Sequence, residues 1–146
     1  MDFARLVIDA SVGIKLVIAE AGSDAAHALF SHAAATEGSR LYVPDLFYTE
    51  CANVLWKYVK RFGYSAKDAQ KNIERLIGLG LIRLETDLLL KNAFAIAVTH
   101  EISVYDACYV AASMHVSAPL VTADERLVTK LAKISSPPRL LGTLDL

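Results

Sequence analysis

Several features that assign proteins to large functional classes are missing from this 146-residue sequence. Charge of one sign is not in excess: 15 basic and 16 acidic residues give a net charge of −1. With that balance, the net charge of the protein does not attract nucleic acid, although a local basic patch is compatible with it. No G-x-x-x-x-G-K-[ST] or G-x-G-x-x-G sequence is present, and no His and Cys residues have zinc-binding spacing. Phosphate-binding loops, dinucleotide-binding sites and structural zinc sites are therefore disfavoured.

The sequence also lacks a convincing membrane span and a signal peptide. Residues 107–123 include no Asp, Glu, Lys or Arg, but they contain Ser, His and Pro and are better explained as a helix end, a turn and a strand. The N-terminus has no basic region followed by an apolar core and a cleavage site. Only two cysteines occur, Cys51 and Cys108. Both fall in helical patterns, which predicts a reducing, cytoplasmic location.

Apolar residues, in contrast, are abundant. They make up 54% of the chain, and the mean hydropathy is +0.36. A chain of this length suits one domain with one core. Because the apolar content is high for a small soluble protein, we expect a partner to cover part of the surface, and a homodimer is the simplest arrangement.

Short apolar segments alternate with helical patterns along the chain. This alternation predicts an α/β fold with a mainly parallel sheet of four to five strands and helices on both faces. The predicted strands are RLVID (5–9), RLYVP (40–44), LIRLE (81–85), PLVTA (119–123) and a short candidate, RLLG (139–142). The predicted helices span 11–20, 23–35, 46–62, 65–80, 86–100, 103–116 and 124–134.

Two aspartates, Asp9 and Asp124, directly follow predicted strands. A single Asp at such a junction is usually a helix N-cap. However, right-handed crossovers bring the carboxyl ends of parallel strands to one edge of a sheet, where ligands bind. Two carboxylates held there repel each other unless a cation joins them. The pair therefore indicates a site at this edge.

Two further acids, Glu50 and Asp106, lie in helical patterns. Glu50 is also explained as a surface residue favoured by the helix dipole. Asp106 is surrounded by apolar and small residues, and Ser103 is the better cap of its helix. Three or four carboxylates together are typical ligands for Mg²⁺ or Mn²⁺. Such a site polarises a phosphodiester and activates water for hydrolysis. A fifth acid, Asp45, is expected to cap the helix that contains Glu50.

Four segments of the chain, in order and spacing, resemble the motif regions of PIN domains. They are LVIDASVGIKL (6–16), YTECANVLWK (48–57), SVYDACYVAAS (103–113) and LVTADERLV (120–128). The nearest resemblance is to the VapC-type ribonuclease toxins of type II toxin–antitoxin pairs, and it covers essentially the whole chain. It implies a single PIN domain over residues 1–146, with a three-layer α/β/α architecture.

The resemblance also implies roles for particular residues. Catalytic roles fall on Asp9, Glu50, Asp106 and Asp124, and Asp9, Asp106 and Asp124 are the implied ligands of Mg²⁺ (or Mn²⁺). Supporting roles fall on Thr122, Ser11 and Asn53. The implied reaction is hydrolysis of RNA, and the implied protein partner is a cognate antitoxin.

Basic residues are needed to hold RNA near an acidic centre. Lys15, Arg126 and Lys130 are our candidates, and Lys57, Lys60 and Arg61 form a second cluster. Each set is explained equally well as a solvated helix face.

Other functions stay open at this stage. A PIN nuclease of RNA maturation or quality control has the same motifs, and a non-catalytic PIN-like module that binds a protein has the same fold. A phosphotransfer enzyme with Asp9 as nucleophile is disfavoured, because the haloacid-dehalogenase pattern requires a second Asp where this chain has Ser11.

Overall fold

A computed structural model describes residues 3–146 of the chain. Its strands are β1 (Arg5–Ile8), β2 (Arg40–Pro44), β3 (Ile82–Leu84), β4 (Leu120–Thr122) and β5 (Arg139–Leu140). Its α-helices are α1 (Ala10–Gly13), α2 (Ser23–Ala35), α3 (Leu46–Phe62), α4 (Ala66–Ile77), α5 (Thr86–His100), α6 (Val104–Val116) and α7 (Glu125–Lys130). Two 3₁₀ turns cover Ile14–Leu16 and Leu141–Thr143.

The five strands form one sheet in the order β3-β2-β1-β4-β5, and all four pairings are parallel. The α/β fold with a parallel central sheet, predicted from the sequence, is confirmed. The register between β1 and β4 explains how residues from the two strands meet at the edge of the sheet. Val7 pairs with Leu120 and Ile8 with Val121. One step further, at the carboxyl edge, Asp9 comes beside Thr122.

The core lies on both sides of β1 and against α6. Leu6, Val7 and Ile8 are completely buried, as expected for a central strand covered on both faces. In α6, all seven residues from 107 to 113 are buried, so this helix is packed on nearly every side. This buried part of α6 anchors the helix, and its first turn, which carries Asp106, lies at the sheet edge.

The helix predicted over residues 11–20 is wrong in extent. Helix α1 ends at Gly13, and the chain tightens into the 3₁₀ turn before a loop leads to α2. Helix α3 crosses closely here, because a Cβ on Gly13 would lie 2.4 Å from Cζ of Phe47. The β-branched Val17 and Ile18 also favour a helix less than unbranched residues do.

Two other local predictions are corrected. The last helix ends at Lys130 rather than at residue 134, since single-turn bonds follow it, including one from Ile134 N to Leu131 O at 3.3 Å. Asp45 precedes α3 but makes no side-chain cap there. Its carboxylate instead accepts hydrogen bonds from the backbone N–H and the hydroxyl of Thr86, at the start of α5. Within the described residues, no helix is both long and apolar enough to cross a membrane.

Candidate active site

A cleft of about 300 Å³ opens at the carboxyl edge of the sheet. The end of β1, helix α1 with the 3₁₀ turn after it, one face of α3, the first turn of α6 and the cap of α7 all contribute to it. All four acids predicted from the sequence line this cleft, together with Ser11, Asn53 and Lys57; the full lining is Asp9, Ala10, Ser11, Ile14, Glu50, Asn53, Val54, Lys57, Asp106 and Asp124.

Asp9 is the most buried acid of the cleft, with 6% of its surface exposed. It stands at the N-cap position of α1, yet its side chain makes no cap bond. Its Oδ2 accepts hydrogen bonds from Ser11 Oγ at 2.6 Å and from Thr122 Oγ1 at 2.7 Å. The strand-end Asp is therefore held by hydroxyls from β4 and α1 rather than serving as a helix cap.

The same two hydroxyls also organise the loop after β4. Ser11 Oγ accepts the N–H of Ala123 at 3.0 Å, and Thr122 Oγ1 accepts the N–H of Asp124 at 3.1 Å. Asp124 in turn caps α7, since its Oδ1 accepts the N–H groups of Arg126 and Leu127. Asp9 and Asp124 are thus linked through one short hydrogen-bond network. Asp124 therefore has both of the roles considered for it: its carboxylate lines the cleft and also caps α7.

Glu50 is held by a residue that the sequence patterns did not single out. Tyr109, completely buried in α6, donates its hydroxyl to Glu50 Oε1 at 2.8 Å. Helix α6 also supplies Asp106, in its first turn, while Ser103 caps that helix by accepting the N–H of Asp106 at 3.0 Å. The predicted cap role of Ser103 is confirmed, and the carboxylate of Asp106 is left to face the cleft.

Burial and mutual repulsion raise the pKa values of Asp9, Glu50 and Asp106. Desolvation raises the pKa of Asp9, and the Asp106 charge adds to it, although the Ser11 and Thr122 hydroxyls oppose the rise. Burial raises the pKa of Glu50 to about 7, opposed by the Tyr109 hydrogen bond and reinforced by Asp9 and Asp106. Burial also raises the pKa of Asp106, and the nearby Asp124 contributes. The carboxylates therefore act on one another electrostatically, as groups sharing a site do.

The donor chemistry of the cleft suits a hard divalent cation, because carboxylate and hydroxyl oxygens are the ligands that Mg²⁺ and Mn²⁺ prefer. Across residues 3–146, however, no group of three or more His, Cys, Asp and Glu side chains is arranged to hold a metal ion. Repulsion between unneutralised carboxylates favours keeping them apart. The oxygen donors of the cleft suit a divalent cation, and the arrangement of the carboxylates around such an ion stays a prediction.

A cysteine nucleophile does not fit this site. Cys51, which follows Glu50 in the chain, is buried, and this burial raises the pKa of its thiol to about 12. Its Sγ lies 3.9 Å from the carbonyl oxygen of Ala10, to which it donates a weak hydrogen bond. A thiol held in this way stays protonated at neutral pH and acts as a small core residue.

The structure places the predicted RNA-binding residues away from the cleft lining. Lys15 Nζ bonds Glu20 Oε1 at 3.0 Å and the carbonyl oxygen of Ala21 at 2.8 Å. Lys130 Nζ bonds the carbonyl oxygen of Glu101 at 2.8 Å. Neither these residues nor Arg126 lines the cleft, whereas Lys57 does.

A larger cavity, of about 490 Å³, lies elsewhere, between α2, the end of α4 and the start of β2. Its lining is mostly apolar and contains no Asp or Glu. It therefore lacks the carboxylates that distinguish the smaller cleft.

Fold and site together define a class: a parallel α/β domain with acids from several elements around one edge of its sheet. A family model for the PIN domain matches residues 6–134. The chain therefore belongs to the PIN-domain family, and the resemblance recognised in its motifs is confirmed.

Individual relatives agree with this assignment. The chain is 33% identical over 135 residues to Ribonuclease VapC3 of Pyrobaculum aerophilum, covering 91% of this chain and 99% of that protein. The crystal structure of PAE2754, also from Pyrobaculum aerophilum, superimposes with a TM-score of 0.69 at 25% identity, covering 95% of this chain and 85% of the other. A toxin–antitoxin complex from Klebsiella pneumoniae shares the fold, with a TM-score of 0.64 at 14% identity over 90% of this chain and 93% of that one.

Proposed function

We propose that this protein is a metal-dependent endoribonuclease and the toxin of a toxin–antitoxin pair. The observation that carries the proposal is that Asp9, Glu50, Asp106 and Asp124 all line one cleft. The family and the 33% identity to a named VapC ribonuclease support the same activity. We further infer that the whole chain, residues 1–146, acts as one PIN domain. Its two cysteines are free and buried, which fits a cytoplasmic location.

In the proposed reaction, Asp9, Asp106 and Asp124 would hold Mg²⁺ or Mn²⁺. A bound divalent ion supplies charge stabilisation at the scissile phosphate and an activated water. Other residues of the chain hold the catalytic carboxylates in place. Ser11 and Thr122 fix Asp9, and Tyr109 fixes Glu50 through Oε1. In the metal-free cleft the pKa of Glu50 is about 7; a cation held by the neighbouring aspartates would favour its charged form, which can accept a proton from water.

The direct test is cleavage of single-stranded RNA by the purified chain. We expect cleavage with Mg²⁺ or Mn²⁺, none in EDTA, and none from the Asp9→Asn variant, whose circular dichroism spectrum should match that of the wild type. Equal cleavage in EDTA would rule out the metal mechanism. Sequencing of RNA ends after induction, wild type against Asp9→Asn, would identify the target RNA.

An antitoxin partner follows from the proposed role, because a free ribonuclease damages its own cell. One structural neighbour is itself a toxin–antitoxin complex. We expect the antitoxin to send an Arg or Lys into the carboxylate cleft, since a bidentate Arg pairs well with carboxylates and competes with a metal. Inhibition should then weaken at high Mg²⁺. If expression of this chain alone leaves growth and RNA intact, the maturation-nuclease or binding-module function replaces the toxin function.

A homodimer is the second assembly that we propose. Helix α5 and the start of α6 expose large apolar side chains: Leu88, Phe94 and Val98 are 63–65% exposed, and Tyr105 is 66% exposed. Exposed apolar patches of this kind mark interfaces, and two-fold pairing is the commonest way to cover one.

A further inference from the structure

Helix α3 carries a basic and aromatic surface that begins inside the acidic cleft. Glu50, Asn53 and Lys57 all line the cleft, and their spacing of three and four residues puts them on one side of the helix. Lys60 and Arg61 follow Lys57 at the same spacing, and Trp56 lies beside Lys60. We call Asn53, Trp56, Lys57, Lys60 and Arg61 the α3 stripe.

The charge of this region is unlike that of the chain as a whole. Residues 51–67 contain four basic residues and no acidic residue, although the whole chain has a net charge of −1. Lys60 and Arg61 lie in the last turn of α3, where the helix dipole favours cations. The dipole does not account for Lys57, which lies a turn earlier, or for the exposed Trp56.

Trp56 gives the stripe an aromatic face. Its side chain is 55% exposed, and Lys60 Nζ lies 5.0 Å from the ring centroid. An exposed indole with cations beside it is the combination on which proteins stack the bases of single-stranded nucleic acid.

The α3 stripe is also available, whereas two other candidate cations are not. The ammonium groups of Lys15 and Lys130 are held by Glu20, Ala21 and Glu101. Lys57 makes no hydrogen bond or ion pair with any residue from 3 to 146, so its ammonium group is free to meet a phosphate.

We propose that single-stranded RNA lies along the α3 stripe on its way into the cleft. Its phosphates contact Lys57, Lys60 and Arg61, and one base stacks on Trp56. From Glu50 to Arg61 the path is about 16 Å long, at about 1.5 Å per residue. The proposal rests on the proposed ribonuclease function and adds the path of the substrate. RNA fits better than an acidic peptide, because the exposed ring of Trp56 offers a stacking surface that a base can use and an acidic side chain cannot.

The experiment uses Trp56 as a built-in probe, since the chain has one tryptophan. A labelled single-stranded RNA of about 12 nucleotides, within the usual site sizes, is titrated into the full-length Asp9→Asn protein, which prevents cleavage. Binding is followed by RNA anisotropy and by intrinsic fluorescence. We expect the fluorescence to be quenched with the same Kd that anisotropy gives.

Variants in the same Asp9→Asn protein separate the contributions. Trp56→Ala should weaken binding about 5- to 100-fold, and Trp56→Phe should recover much of it because the stacking face is kept. Lys57→Ala and Arg61→Ala should each lower the slope of log Kd against log salt by about 0.7. Lys71→Ala, an exposed charge on α4, is the matched control and should change neither quantity. Unchanged melting temperatures would show that all variants are folded.

The possible results test the RNA path along the α3 stripe separately from the proposed ribonuclease function. Binding without fluorescence quenching, or equal losses in Lys57→Ala and Lys71→Ala, would overturn the path while leaving wild-type cleavage to decide the function. Binding along the stripe, by a wild type that never cleaves RNA with Mg²⁺ or Mn²⁺, would support the path and reject the ribonuclease. No RNA binding, with an acidic protein bound at the stripe instead, would overturn the proposal.

Discussion

Replacing Thr122 by Val should destabilise the protein more than its small change in shape suggests. Thr122 is completely buried, and Val has nearly the same shape, so the packing is kept. What disappears is the hydroxyl that donates to Asp9 Oδ2 at 2.7 Å and accepts the N–H of Asp124 at 3.1 Å. The substitution therefore isolates the polar network from the packing.

The magnitude follows from those two bonds. A hydrogen bond to a charged group is worth about 1.5–3 kcal/mol, and an N–H left without an acceptor costs about 1 kcal/mol when half-buried. We expect a loss of about 2–4 kcal/mol, a large share of the roughly 5–15 kcal/mol that stabilise a domain. The pKa of Asp9 should rise further, because one of the two hydroxyls that lower it is gone.

Urea unfolding in EDTA at pH 7.5 measures the effect. Thr122→Ser is the matched control, since it keeps the hydroxyl and loses only a methyl group, at a cost of about 1 kcal/mol. In the Asp9→Asn background, where the acceptor is no longer charged, the penalty for Val should shrink by at least about 1 kcal/mol. A Thr122→Val protein as stable as Thr122→Ser, or more so, would refute the reasoning.

Three further predictions concern the acids. First, metal-free protein should lose stability as pH rises from about 4.5 through 7, because the folded pKa of Glu50, about 7, lies above its ordinary 4.5. After a discount for the partial exposure of Glu50, the free energy of unfolding measured in urea should be about 1–2 kcal/mol lower at pH 8 than at pH 5. A flat pH profile would contradict this prediction. Second, Asp9→Asn and Asp106→Asn should abolish cleavage while leaving the EDTA-treated fold at least as stable, by thermal melting, since each removes a charge that burial disfavours; wild-type cleavage rates would reject their catalytic role. Third, Mn²⁺ should raise the melting temperature of the wild type and much less that of Asp9→Asn, and equal shifts would place the ion elsewhere.

Much of the fold could be predicted, because its determinants are local. Apolar runs of four or five residues, separated by helical patterns, indicated each strand within a residue or two. The errors fell where a distant element decides the outcome. Helix α1 ends early beside Phe47, which packs against Gly13 from α3, and Asp45 bonds Thr86 instead of its own helix. In both cases the partner lies more than 30 residues away.

For the candidate site, the sequence by itself determined which chemistry is available. Asp9 and Asp124 follow strands whose carboxyl ends meet at one edge, and motif order pointed to Glu50 and Asp106. Only the tertiary structure decided how these acids are supported. The hydrogen bonds from Thr122 to Asp9 and from Tyr109 to Glu50 join residues 113 and 59 positions apart. Likewise, only the fold holds the ammonium groups of Lys15 and Lys130 at Glu20 and Glu101 and leaves Lys57 at the cleft. The physical reason is that residue type sets charge and local conformation, whereas burial and long-range contacts determine which charges meet.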